Sequence, residues 1–280
     1  MRVLVAGAGY VGGELAVRLA QAGHEVLALR RSPRPEEGVQ RPRVRWLACD
    51  LTDAGALREL PLAGVEALAY LVAADARDEA AYRRAYVDGL AAVLEQLRAQ
   101  ASLRRVLFAS STSLYAQDDG SWLDEASLAE PQHFTGRIVR EAERLVQRAD
   151  CTAVALRLGG IYGPGRASLL ERVRAGTAAL PGAPHYTNRI QRDDAARACA
   201  HLLGLESPAP RYVGVDSEPA NQADVLRWLS ARLGSAPPRG AYDANGAATG
   251  KRCRNDLLRA SGFAFEFPSY REGYGALLGS

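Results

Sequence analysis

Short apolar runs alternate with amphipathic stretches from the first residue of the chain. Residues 3–6 are apolar and end at a glycine, and residues 15–21 read as a helix that closes near Gly23. Apolar runs at 25–29, 43–49 and 66–72 are bounded by turn residues, the pattern of strands buried on both faces. Residues 78–100 place Tyr82, Tyr86, Leu90, Val93, Leu94 and Leu97 at helical spacing, which predicts one long helix. A strand at 105–109, a helix at 136–148 with Ile138, Ala142, Leu145 and Val146 on one face, and a strand at 152–158 follow. This alternation predicts an α/β fold, a Rossmann-type doubly wound parallel sheet.

After Gly163 the pattern loosens, with proline and glycine frequent around Pro164, Pro181 and Pro184. Helices at 193–203 and 222–233, a strand at 211–215 and a loop of small residues at 235–250 complete the reading. The expected division is a Rossmann domain over 1–163 and a smaller mixed α/β lobe over 164–280, segments of which can return to the sheet.

Composition changes this picture little. Apolar residues make up 48% of the 280 and charged residues 24%, an ordinary globular balance. A net charge of +3 with scattered arginines gives no stripe that could track nucleic acid phosphates. No run of about 20 apolar residues marks a membrane span, and the glycines after the apolar start read as strand and loop rather than a signal sequence. Cys49, Cys151, Cys199 and Cys253 match no metal or redox spacing, so free thiols, a cytoplasmic location and no metal are expected. Lys251 is the only lysine, which constrains any mechanism that needs one.

Gly7, Ala8, Gly9, Tyr10, Val11 and Gly12 form a GxGxxG sequence after the first strand and at the start of a helix. Gly7 permits the tight turn, Gly9 lets backbone approach a pyrophosphate, and Gly12 lets helix pack on strand. The helix N-terminus offers N–H groups and positive dipole to the anion. Where a site for NAD would carry an acid at the end of the second strand, this chain has Arg30, Arg31 and Ser32. Two guanidiniums and a hydroxyl suit a 2′-phosphate, so NADP(H) is the expected cofactor. Asp50 and Leu51, after the third strand, are placed to meet the adenine.

Together with this loop, three further segments carry a resemblance: Leu71-Val72-Ala73-Ala74, Ser110 through Tyr115, and Arg157-Leu158-Gly159-Gly160-Ile161-Tyr162-Gly163-Pro164-Gly165. Asn188-Arg189-Ile190 with Asp193-Asp194, and a tail from Lys251 through Gly273, extend it over nearly the whole chain. The chain resembles the extended short-chain dehydrogenase/reductase family, which includes nucleotide-sugar epimerases and dehydratases, and within it an atypical bacterial epimerase-like subgroup. The resemblance implies that Ala73 and Ala74 lie beside the pyrophosphate and ribose, and Gly160 and Ile161 near the nicotinamide. It implies substrate contacts from His185, Tyr186, Asn188 and Arg189. A homodimer built on the helices at 78–100 and 136–148 is the family analogy.

The same resemblance implies a catalytic tyrosine and lysine four residues apart. Those positions hold Thr135 and Val139. Ser111 matches the family's catalytic serine or threonine, while Tyr115, His133 and Thr135 are the remaining candidates for proton transfer. Two functions are therefore expected to compete. One is an NADP(H)-dependent oxidoreductase or epimerase-like enzyme with altered proton chemistry acting on a small molecule. The other is a non-catalytic NADP(H)-dependent sensor or partner protein.

Overall fold

A computed structural model describes residues 1–32 and 43–279. Seven strands form its main sheet, in the edge-to-edge order Arg211–Gly214, Thr152–Leu158, Arg105–Ser111, Ala67–Tyr70, Arg2–Ala6, Glu25–Arg30, Val44–Ala48. The first strand pairs in parallel with the second and fourth, the second with the third, and the fourth with the fifth. Strand order thus reverses beside Arg2–Ala6, the switch point where doubly wound sheets bind ligands. The apolar runs behave as their continuity predicts: Val3, Leu4, Val5, Val26, Leu68 and Leu107 are fully buried. Leu4, Leu27, Leu68, Tyr70, Leu90, Val93, Phe108 and Val139 belong to one core cluster.

The long helix expected over 78–100 is interrupted. Asp78 caps an α-helix Glu79–Arg83 by accepting from the Ala81 N–H, a π-turn spans Arg84–Asp88, and α-helix resumes over Gly89–Arg98. Tyr70 supplies the cause. Its hydroxyl donates to the Ala85 carbonyl at 2.5 Å, drawing that acceptor out of the regular ladder. Gly89 leaves room for it, since a Cβ there would lie 2.9 Å from the same hydroxyl.

The chain divides into two compact units, neither continuous in sequence. The first comprises Met1–Leu114, Ala129–Arg157 and Ala195–Tyr212, and holds nearly all of the sheet. The second comprises Tyr115–Leu128, Leu158–Asp194 and Val213–Ser280. In the second unit, Tyr162, Leu170, Val225, Leu229, Tyr270 and Tyr274 form a separate core. Helices Ser168–Arg174, Gln222–Leu233 and Tyr270–Leu278 contribute to it. Very short strands pair here: Gly160–Tyr162 with Arg189–Gln191, His185–Thr187 with both Ala220–Asn221 and Thr249–Gly250, and Trp122–Leu123 with Arg252–Cys253. The fully buried carboxylate of Asp194 accepts from the Glu266 and Phe267 N–H groups and so pins the tail. All four cysteines are free. Among the described residues no helix is long and apolar enough to cross a membrane, and no cluster of ligating side chains could hold a metal ion.

Candidate cofactor and substrate sites

The glycine loop leaves the first strand and opens helix Tyr10–Gln21. Gly7 and Ala8 donate to the Leu29 carbonyl at 3.1 and 2.7 Å, which ties the loop to the end of the second strand, beside Arg30. Gly7 has φ +89°, and a Cβ there would come within 2.5 Å of the Leu71 backbone. A Cβ at Gly12 would lie 2.3 Å from the Gly7 carbonyl oxygen. Both glycines are required by the fold itself. Gly9 is different, because a Cβ on it would meet no atom within 4 Å. Its backbone, at φ −89° and ψ −130°, lies outside the regular α and β regions. The helix has no side-chain cap and no acid in its first turn, so its positive end is not neutralised by its own residues.

At the end of the second strand, Arg31 forms an ion pair with Asp75 at 2.8 Å, both side chains about half exposed. The Arg31 hydrogen bond holds the Asp75 carboxyl below its ordinary range. Asp50 accepts from the Thr52 N–H and hydroxyl, and these bonds lower its pKa as well. Ser32 is exposed, Arg30 is half-buried, Leu51 is buried, and Ala73 and Ala74 lie in the irregular segment after the fourth strand.

The proton-transfer candidates separate sharply. Ser111 ends the fifth strand and its Oγ accepts from the Ser113 N–H at 3.1 Å, so its proton can be donated elsewhere. Thr135 lies in the first turn of helix Phe134–Gln147. Gly136 lets that turn sit against the serine loop, since a Cβ would come within 2.8 Å of the Ser113 carbonyl oxygen. Val139 points into the core at 2% exposure and is closed to polar chemistry. His133 is exposed at the N-cap and makes no capping bond. Tyr115 is 1% exposed and its hydroxyl donates to the Asp124 carbonyl at 2.7 Å, so it acts in the fold rather than as an accessible acid.

One serine earlier stands a group that pattern reading passed over. Buried Ser110 donates to Glu143 Oε1 at 2.5 Å. Arg157 donates to the same carboxylate through Nε at 3.0 Å and Nη2 at 2.8 Å. A carboxylate on the apolar face of a helix signals such a partner, because an unpaired buried charge is costly. The triad fixes the strand end that presents Ser111.

In the second unit the four substrate candidates have unlike roles. His185 Nδ1 is 2.9 Å from the Thr249 hydroxyl. Arg252 lies over the Tyr186 ring at 4.5 Å and over Trp122 at 4.9 Å. The Asn188 side chain donates to the Lys251 carbonyl and accepts from the Cys253 N–H, clamping the tail strand. Lys251 donates to the Tyr115 carbonyl, and burial lowers its pKa. Gly160, Ile161, Asn188 and Arg189 line a cavity of about 320 Å³, together with Arg166 and Tyr274.

These features agree with comparisons to known proteins. The NAD dependent epimerase/dehydratase family model matches residues 3–180, and the chain belongs to that family, whose members bind a nicotinamide dinucleotide. A solved structure from Methylobacillus flagellatus with the same family description is 37% identical, with a TM-score of 0.84 over 99% of this chain and 97% of that one. The 2-alkyl-3-oxoalkanoate reductase of Stenotrophomonas maltophilia is 30% identical over 260 residues, 84% of this chain and 76% of the reductase. The human epimerase family protein SDR39U1, solved with NADPH, shares the fold at 18% identity, with a TM-score of 0.80 over 100% of both chains.

Proposed function

We propose that this protein binds NADP(H) on its glycine loop and acts as an oxidoreductase on a small carbonyl or hydroxyl compound, without the tyrosine–lysine pair. Gly9 carries the reading. A Cβ on it would meet no atom of the chain within 4 Å, so the space beside its backbone is open to the close approach of a pyrophosphate. Arg30, Arg31 and Ser32 favour a 2′-phosphate over a free ribose hydroxyl, with Asp75 holding Arg31 at the strand end. Membership of a dinucleotide-binding family and likeness to a reductase of 2-alkyl-3-oxoalkanoates support the oxidoreductase class.

The dinucleotide, when bound, supplies the hydride chemistry. Ser111 then orients and polarises the substrate oxygen through its free proton, held in place by the Ser110–Glu143–Arg157 triad. Thr135 offers a hydroxyl but no titrating group near neutral pH, so proton delivery depends on Ser111, His133 or water.

The buried Val139 favours a second reading, in which the protein binds NADP(H) without turnover and acts as a sensor. Titration calorimetry with NADPH and NADH on the wild type, Gly9→Ala and the Arg30→Ala/Arg31→Ala double variant tests the cofactor assignment. Gly9→Ala should bind NADPH about tenfold or more weakly. The double variant should lose the preference for NADPH. Wild-type affinity in Gly9→Ala, or equal affinity of the native protein for NADH, overturns the respective part. NADPH oxidation by a panel of ketones then separates enzyme from sensor.

A further inference from the structure

The cavity in the second unit has a lopsided lining. Arg166, Arg189, Ser168, Thr187 and Asn188 line it, and no aspartate or glutamate is among the lining residues. Ile161, Leu169 and the rings of Tyr162 and Tyr274 form the remainder apart from Gly160. The two rings stack, with centroids 4.4 Å apart.

Arg189 is 7% exposed, and its hydrogen bonds go to neutral groups. It donates to Gln222 Oε1 at 2.7 Å and to the Thr187 carbonyl at 3.4 Å, and it bonds the Tyr274 hydroxyl. A buried guanidinium with neutral partners keeps its full charge in a low-dielectric setting, which is costly unless an anion joins it. Asp216, at 1% exposure, interacts with it electrostatically. Burial pushes the Asp216 pKa up, and the Arg189 charge acts against that shift. The Tyr162 hydroxyl, in a residue 5% exposed, has no hydrogen-bond partner and packs against Gly273.

We propose that this cavity binds a small organic carboxylate, its head on Arg189 and Arg166 and its carbon skeleton against Ile161, Leu169 and the stacked tyrosines. Guanidinium groups match the planar, two-oxygen geometry of a carboxylate. The apolar half of the lining selects an organic anion over an inorganic one. A volume of about 320 Å³ lies in the range of small-molecule sites. The inference does not rest on the dinucleotide reading, because every group it uses lies in the second unit.

The test is calorimetry and thermal melting of the whole protein, free of dinucleotide, with hexanoate and benzoate as probes. Hexanamide and inorganic phosphate serve as controls. The expected result is saturable binding and a raised melting temperature with the carboxylates, and neither effect with the controls. Arg166→Gln, at an exposed position, should keep the native melting temperature and weaken hexanoate binding about tenfold or more, the factor that one charged hydrogen bond supplies. Arg189→Gln should abolish binding, and Arg189→Lys should recover part of it. No carboxylate binding in the wild type, an equal response to phosphate, or unchanged affinity in Arg166→Gln overturns the proposal. NADPH titration of the same sample reads the cofactor site separately, so the failure of either assignment is distinguishable from failure of the other.

Discussion

Arg157 and Arg189 are the buried arginines among the described residues, one in each compact unit, and their surroundings are opposites. Arg157 faces Glu143 through two charge-assisted bonds, and Ser110 takes up further accepting capacity of the same carboxylate. Its charge is cancelled and its donors are used inside the fold. Arg189 faces an amide, a carbonyl and a phenol, and lines a cavity. One guanidinium is closed within the fold, while the other meets only neutral hydrogen-bond partners. Both are buried; the hydrogen-bonded carboxylate is what differs.

The largest expected effect comes from breaking the closed pair. Glu143→Ala strands the Arg157 charge and should cost about 3–5 kcal/mol in urea denaturation. A loss below about 1 kcal/mol would mean that the pair contributes little and that the contrast with Arg189 is one of geometry only. Arg189→Met should cost less, about 1–3 kcal/mol, because it leaves neutral acceptors unmet rather than a naked charge. A loss equal to that of Glu143→Ala would show that Arg189 has a compensating anion within the fold.

A third and smaller effect concerns Asp216. Its folded pKa is raised by burial above the ordinary 3.8, so the folded state holds its proton more tightly than the unfolded chain does. The stability associated with the neutral acid is therefore full below about 3.8 and is lost as pH rises through the folded value. Asp216→Asn removes this loss. Its urea midpoint, relative to the wild type, should be higher at pH 8 than at pH 4. A relative midpoint independent of pH would show that Asp216 is already ionised beside Arg189.

Much of the first unit was legible because its signals are local. Strand Thr152–Leu158 falls where its apolar run placed it, and the glycine loop has the predicted strand and helix on either side. The π-turn at Arg84–Asp88 was not legible, since its cause is the Tyr70 hydroxyl from a different strand. Strands of two residues, such as Trp122–Leu123 and Arg252–Cys253, have no period to read, and their partners lie far along the chain. The cavity was hidden for the same reason, as Tyr162, Arg166, Arg189 and Tyr274 come from four separate elements or turns. Glu143 did leave a trace: it follows buried Ala142 and lies three residues before buried Val146, on an otherwise apolar face.

The order of the sheet also sets a timetable for synthesis. The edge strand Arg211–Gly214 lies beside Thr152–Leu158, yet the entire run from Gly159 to Pro210 must leave the ribosome before it arrives. Until then Thr152–Leu158 offers an unpaired row of backbone groups, the kind of edge that recruits foreign strands. A nascent chain halted before residue 211 should consequently be the most aggregation-prone stage in the life of this protein, and slowing translation across that stretch would lengthen the exposure.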